Sequence, residues 1–447
     1  MEGRYQRYPE YKDSGVKWFG KIPIGWLPSR LKYIANINMG QSPSSDDCNK
    51  DGKGRPFLQG NAEFGVEYPE PQNYCDVSKK VAKVGDLLFS VRAPVGALNI
   101  ADQAYGIARG LCSIAVSNEI YRRYLWWLIP TLRKELDTVS TGSTFEAVSA
   151  EQIRNVICYY PILADQHQIA NFLDHETAKI DTLIEKQQQL ISLLKEKRQA
   201  VISHAVTKGL NPDAPMKDSG LEWLGEVPEH WEVKCLRHIG ICQNGINIGA
   251  EFFGTGYPFV SYSDVYNNRV LPESVSGLVQ SKDADWNAYS VRSGDVFFTR
   301  TSETIDEIGF ASTCKKTINK ATFAGFLIRF RPNRGEIVDK FSTHYFGNSL
   351  LRAFFIKEMN LVTRASLSQD LLKKLPVLLP PREEQIAIAE YLDDRVRVYA
   401  GLITKSHLMV ELLQERRTAL ISSAVTGKID VRNWQPPTDS ITDKDIQ

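Results

Sequence analysis

The sequence predicts a mixed α/β protein: two globules joined by two long antiparallel helices that pair as a coiled coil, about a pseudo-twofold axis. Three observations carry that expectation. A short motif with two tryptophans occurs twice, and a longer segment of helical periodicity occurs twice. The blocks between them share short β-like runs while differing in most residues.

The first motif reads Lys12-Asp13-Ser14-Gly15, then Trp18, Gly20, Pro23 and Trp26. The second reads Lys217-Asp218-Ser219-Gly220, then Trp223, Gly225, Pro228 and Trp231, each member displaced by 205 positions. Recurrence at one offset marks internal duplication. The plain reading of the motif is a structural staple, because tryptophan buries a large area beside a turn.

The second pair runs from Pro161 to Thr207 and from Pro380 to Thr426. Gln166, Ile169-Ala170, Leu173-Asp174 and Ala205-Val206-Thr207 reappear as Gln385, Ile388-Ala389, Leu392-Asp393 and Ala424-Val425-Thr426, now 219 positions on. The second block is therefore 14 residues longer than the first. Each segment opens on a proline, which suits a helix start. Apolar residues follow at coiled-coil spacing: Ile180, Leu183, Leu190, Leu194 and Val201, then Tyr399, Leu402, Met409, Leu413 and Leu420. Apart from Gly401, no glycine or proline interrupts them. Each reads as a helix of about 40 residues, roughly 60 Å long, whose apolar stripe needs its own repeat as a partner. One seam position is polar in both copies, Gln187 and Ser406; it either fixes register or faces solvent. Antiparallel pairing would hold the two blocks apart, as a ruler does. The resulting divisions are 1–160, 161–207, 208–379, 380–426 and a tail, 427–447; Thr207 to Leu221 is rich in turn formers.

The blocks, about 27–160 and 232–379, hold strands between glycine turns. Gly85-Asp86 precedes Leu87-Leu88-Phe89-Ser90-Val91-Arg92, and Gly294-Asp295 precedes Val296-Phe297-Phe298-Thr299-Arg300-Thr301. Helix-like segments follow at Glu119 to Leu136 and Asp339 to Met359. Candidate contact residues lie in polar loops. In the first block they are Gln41, Ser42, Gln59, Asn61, Ser90, Arg92, Arg109, Ser143 and Thr144. In the second they are Asn244, Asn247, Ser261, Ser263, Thr299, Arg300, Thr301, Arg364 and Ser366. Arginine suits guanine edges, Asn and Gln suit adenine, and hydroxyls suit phosphates; for each the alternative is an ordinary turn.

Composition sets bounds. At 447 residues the chain exceeds a single ordinary core. No run of roughly 18 apolar residues would span a membrane, and Met1 to Glu10 has no apolar stretch of a secretory signal. Seven scattered cysteines, never two residues apart as a pair, fit reduced thiols in a cytoplasm and argue against zinc or disulfides. A net charge of +1 makes no global field toward nucleic acid, so DNA binding needs local patches or partners. No phosphate-binding Gly-Lys-Ser/Thr loop, no methyltransferase Pro-Pro-aromatic tetrapeptide and no metal-ligand spacing occurs. No catalytic, cofactor or metal site is therefore expected.

Taken together, three tracts resemble type I restriction-modification specificity subunits. These are the double-tryptophan motif, the Gly85–Gly96 tract with its Ser-x-Arg-Ala-Pro-Val-Gly ending, and the Gln-x-x-Ile-Ala-x-x-Leu-Asp helices, over nearly the whole chain. The resemblance implies two target-recognition domains and two helical spacers. It implies double-stranded DNA, two methyltransferase (M) subunits and restriction (R) subunits as partners, with S-adenosylmethionine and ATP/Mg on those partners. It also implies adenine methylation in a split site and cleavage of unmodified DNA. The second block departs from the tract at Arg300-Thr301-Ser302-Glu303. Two rival readings are an autonomous DNA-acting enzyme and a coiled-coil scaffold that ignores DNA.

Overall fold

The computed structural model describes residues 5–16, 19–44, 47–139, 147–302, 308–358 and 365–436. The chain divides into two compact units: Met1–Gln187 with Leu408–Gln447, and Gln188–His407. The first contains β1 (Ala35–Met39), β2 (Arg55–Leu58), β3 (Leu87–Ser90), β4 (Leu98–Ile100), β5 (Tyr105–Ile107), β6 (Leu111–Val116) and α1 (Arg122–Val139). The long helix α2 (Leu163–Lys208) follows. The second contains β7 (Gly240–Asn244), β8 (Phe253–Val260), β9 (Val296–Thr299), β10 (Ala311–Thr313), β11 (Thr322–Phe323), β12 (Leu327–Pro332), α3 (Asp339–Phe346) and α4 (Leu351–Glu358). The last helix is α5 (Arg382–Val425).

Both units carry the same sheet. Strand order is β4-β3-β6-β1 in the first and β10-β9-β12-β7 in the second, antiparallel throughout. Beside it, β2 runs parallel to β5 and β8 runs parallel to β11. The central strands are apolar on both faces because each separates two cores. Leu87 and Phe89 face one cluster and Leu88 another; Val296 and Phe298 face one and Phe297 another. Period-two alternation sorts them. The Gly-Asp pair before each strand is a turn. Gly85 and Gly294 take φ of 88° and 89°, where a side chain would be strained. The Asp86 and Asp295 carboxylates accept from the Lys83 and Arg292 amides at 2.9 and 2.7 Å.

The tryptophan motif is a staple in both halves. Lys12 Nζ donates to the Trp26 carbonyl at 3.0 Å, and Lys217 Nζ to that of Trp231 at 2.7 Å. Buried Trp26 packs on Gly427 past the end of α5, and buried Trp231 packs on Gly209 past the end of α2. Trp18 lies outside the described residues. The shared glutamine is a joint. Gln166 Nε2 donates to the Pro161 carbonyl at 2.9 Å while its oxygen accepts from the Tyr121 amide at 2.8 Å. Gln385 does the same with Pro380 at 3.0 Å and Val338 at 2.8 Å.

Helices α2 and α5 are unbroken over 46 and 44 residues, or about 65–70 Å. In the first unit the start of α2 packs antiparallel on the end of α5. There Ile180 shares a core with Leu413, Leu420 and Ala424, and Asp181 pairs with Arg417 at 2.8 Å. In the second unit Ile202 and Val206 share a core with Ile388 and Leu392. The inward positions of α2 are Ile180, Ile184, Gln187, Ile191, Leu194, Arg198 and Val201. Those of α5, each 219 residues later, are Tyr399, Ile403, Ser406, Val410, Leu413, Arg417 and Leu420. They alternate steps of four and three, a 3.5-residue period. Leu183, Leu190, Leu402 and Met409 are exposed, which corrects the expected seam. From Ile180 and Tyr399 the next step is four, so the branched Ile184, Ile191, Ile403 and Val410 fill those places. Ser406 is 7% exposed, so the polar seam position faces inward there.

The segment from Asp339 was expected to form one helix and instead forms α3 and α4. Asn348 separates them, its Oδ1 accepting from the Leu350 amide at 3.1 Å and from Ser203 Oγ at 2.7 Å. The repeated Asp of each long helix docks the neighbouring short one. Asp174 accepts from Arg123 at 2.8 Å and from Trp127 Nε1 at 2.9 Å on α1; Asp393 meets His344 Nε2 on α3 at 2.8 Å.

Candidate nucleic-acid interface

In the first unit, four loops meet at one end of the central sheet. The Gly40 and Gln41 amides donate to the Leu111 and Ile107 carbonyls at 2.9 and 2.8 Å, which brings the loop after β1 beside the β5–β6 turn. The Ala108 amide bonds to Leu58 at 2.9 Å, adding the loop after β2. The Val91 amide bonds to Gly110 at 2.9 Å, adding the loop after β3. Gly40 is required here, because a Cβ would lie 2.1 Å from the Ala108 carbonyl oxygen. Ala147 joins by pairing with Arg92.

The second unit builds the same cluster. Gly245 and Ile246 bond to Leu327 and Phe323 at 3.2 and 2.9 Å, Ala324 to Val260 at 3.0 Å, and Arg300 to Phe326 at 3.0 Å. A Cβ on Gly245 would lie 2.1 Å from the Ala324 carbonyl oxygen. Thr301 pairs with Ser366 as Arg92 pairs with Ala147. Five segments therefore converge in each unit, joined by equivalent backbone bonds.

The expected contact residues fall into distinct classes. Gln41, Gln59, Arg92 and Arg109 are exposed on the first cluster, with Ser42 and Asn61 half-buried. Asn247, Ser263 and Ser366 are exposed on the second, with Asn244, Ser261 and Thr301 half-buried. The Ser261 hydroxyl is engaged, donating to Asp264 Oδ2 at 2.7 Å. Ser90 and Thr299 are corrections to the expectation. Both are buried, Ser90 Oγ donating to the Arg92 carbonyl at 2.9 Å and Thr299 Oγ1 accepting from the Phe310 amide at 3.0 Å. They face into the protein because they still belong to the central strands. Ser143, Thr144 and Arg364 lie outside the described residues.

Arg92 and Arg300 are not equivalent. The bonds above place Thr301 at the position of Arg92, and Arg300 at the position of buried Val91. Adjacent residues of an extended chain point to opposite faces. Arg92 therefore stands in solvent, whereas Arg300 is half-buried with Nη1 3.5 Å from the Gly325 carbonyl. An exposed residue missed from the sequence is Phe326, on the turn after β11. Matching Ala108-Arg109-Gly110-Leu111 to Ala324-Gly325-Phe326-Leu327 would have found it.

Comparison with known proteins decides what carries such paired faces. The family model described as the type I restriction modification DNA specificity domain matches twice, at residues 23–193 and 228–407. The chain belongs to the type I restriction-modification specificity family. Its relatives include a putative type I restriction enzyme MjaX specificity subunit of Methanocaldococcus jannaschii, 36% identical over 195 residues. That match covers 42% of this chain and 45% of the relative, so under half of that protein is spanned. The EcoBI specificity subunit of Escherichia coli is 24% identical over 89% of this chain and 84% of its own length. The MjaIX specificity subunit of M. jannaschii is 23% identical over 94% and 97%.

Solved members of the family share the fold. A chain from a structure on complex assembly and conformational transition of the type I R-M system aligns with a TM-score of 0.67 at 18% identity, over 91% of this chain and all but 1% of its own. The HsdS subunit from Thermoanaerobacter tengcongensis aligns at 0.55 and 16%, over 91% and 98%. The converging loops here are two copies of one scaffold with different side chains. Among the described residues no group of His, Cys, Asp or Glu could hold a metal ion, and no helix is long and apolar enough to cross a membrane.

Proposed function

We propose that this chain reads a split, asymmetric site in double-stranded DNA, one half with each unit. In this reading it holds two methyltransferase subunits, joined by restriction subunits for cleavage. The chain performs no chemistry itself; S-adenosylmethionine and ATP with magnesium act on those partners. It works in the cytoplasm, where its seven free thiols stay reduced. The observation that carries the reading is the paired loop cluster: the same five segments, held by the same bonds, ending in unlike side chains. Unlike tips on one frame suit unlike half-sites, and the exposed Arg, Gln, Asn and Ser are the types that contact base edges and phosphates.

The helices supply the case for partners. Leu183, Leu190 and Leu193 are exposed along α2, and Leu402, Met409 and Leu412 repeat them 219 residues later along α5. Lys186 and Lys405 stand between. Apolar residues at steps of seven and three form a second helical stripe of the kind that seats another helix. Two like stripes suit two like subunits.

Selection from random duplexes by the full chain assembled with a methyltransferase subunit tests the reading. The expected product is a motif of two half-sites with an unread gap; recovery of no motif would leave only a scaffold. Exchange of residues 27–160 for another block changes one half-site. Adding one heptad to each helix, after Gln187 and after Ser406, lengthens the gap and leaves both halves unchanged. Leu190→Glu with Met409→Glu weakens methyltransferase capture about ten-fold or more, given ~1.5–3 kcal/mol per buried leucine-sized side chain.

A further inference from the structure

The turn Ala324–Leu327 holds the largest apolar side chain displayed by the second cluster, and its setting points to a function. The Leu327 amide closes the turn on the Ala324 carbonyl at 3.0 Å, leaving Gly325 and Phe326 as its central residues. The turn is held by three bonds from two segments. Gly245 bonds to Leu327 at 3.2 Å, Arg300 bonds to the Phe326 carbonyl at 3.0 Å, and Arg300 Nη1 reaches the Gly325 carbonyl at 3.5 Å. A Cβ on Gly325 would fall 1.9 Å from Asn247 Oδ1, so the Asn247 side chain lies directly on that residue. Only the Phe326 ring leaves this frame, 62% exposed. Among the described residues it packs on no other aromatic ring.

The first unit has the same turn. Leu111 closes on Ala108 at 3.0 Å, and the central residues are Arg109 and Gly110. There the first central residue carries a guanidinium and the second is glycine; here the first is glycine and the second carries a phenyl ring. A single exposed apolar residue on a surface is ordinary. This one sits at the centre of a polar loop cluster, on a rigid turn, where the equivalent turn presents arginine.

Resting on the split-site reading above, we propose that Phe326 reads the second half-site by seating its ring against the C5 methyl group of a thymine. A phenyl ring carries no donor or acceptor for a base edge, and the thymine methyl is the apolar feature of the major groove. Arg109 would serve the first unit with guanine from the neighbouring position of the equivalent turn, the one Gly325 occupies here, so one turn supplies two different codes.

The test uses the full chain assembled with a methyltransferase subunit, on a duplex selected from a random library. Each thymine of the second half-site is replaced singly by deoxyuridine, which removes only the methyl. One replacement is expected to weaken wild-type binding about three- to five-fold, the worth of one buried methyl. Phe326→Ala is expected to bind the thymine and deoxyuridine duplexes equally, while first half-site preference stays unchanged, which also shows that the variant folds. Phe326→Leu keeps part of the discrimination. The proposal is overturned by a second half-site lacking thymine, by deoxyuridine sensitivity that survives Phe326→Ala, or by a 2-aminopurine signal showing the ring wedged between base steps. A wild-type chain that selects no bipartite site overturns the split-site reading itself, which is a separate result.

Discussion

The two units are alike where the chain closes on itself and unlike where it meets solvent. Trp26 and Trp231 pack on equivalent glycines, Gln166 and Gln385 bridge equivalent carbonyls and amides, and both central sheets share one strand order. At the loop tips the likeness ends: Arg92 corresponds to Thr301, and the Arg109-Gly110 turn to Gly325-Phe326. The frame cannot vary cheaply, because each of its side chains meets several backbone groups at fixed distances. The tips can, because their backbone is already bonded and side chains such as Arg92, Arg109 and Phe326 are exposed. A duplicated frame can thus carry unlike tips without relearning its fold.

The staples offer the largest test of that equivalence. Trp26→Ala and Trp231→Ala should each cost ~3–5 kcal/mol, as large buried aromatics do, measured by denaturant unfolding with hydrogen exchange to locate the loss. A several-fold difference between the two costs would break the symmetry of the frame.

The arginines test the tips. Arg109→Ala should cost ~1–3 kcal/mol of DNA binding and relax one position of the first half-site if it contacts guanine. Arg300→Ala should instead loosen the Ala324–Leu327 turn, lowering second half-site affinity without reordering its base preferences. Equal loss of specificity in both variants would mean that Arg300 reads bases despite its half-buried place against the Gly325 carbonyl.

The smallest effect concerns the helix docks. Burial holds the His344 imidazole below its ordinary value of 6.5, despite Asp393 beside it. The unfolded chain therefore takes up the proton first as pH falls through about 6.5. The stability of the α3 dock is full above that value and declines below it, with Lys340, Lys315 and Arg269 adding positive charge nearby. The α1 dock uses Arg123 and Trp127 on Asp174 in place of an imidazole. Hydrogen exchange corrected for intrinsic rate should show α3 amides, and not α1 amides, losing protection on acidification. Matching losses in both helices would refute the difference.

Much of this was legible in the chain. The offsets of 205 and 219 announced the duplication, and the long helices followed from unbroken periodicity. The seam phase was misread at Leu183, Leu190, Leu402 and Met409 because leucine alone does not say which of two apolar stripes faces inward. Ser90 and Thr299 were misassigned because a hydroxyl at a strand end reads the same whether it turns in or out. The break between α3 and α4 depends on Ser203, 145 residues away, bonding to Asn348, a contact that no local pattern records.

By itself the sequence determined that one unit occurs twice, that each copy ends in a long helix, and that the family is that of DNA specificity subunits. Those features are written in repeats and periods, which survive without coordinates. Only the tertiary structure decided which arginine is exposed, which leucines face outward and that Phe326 crowns the second turn. Each of these depends on a backbone bond between segments far apart in the chain, and such bonds set side-chain direction one residue at a time.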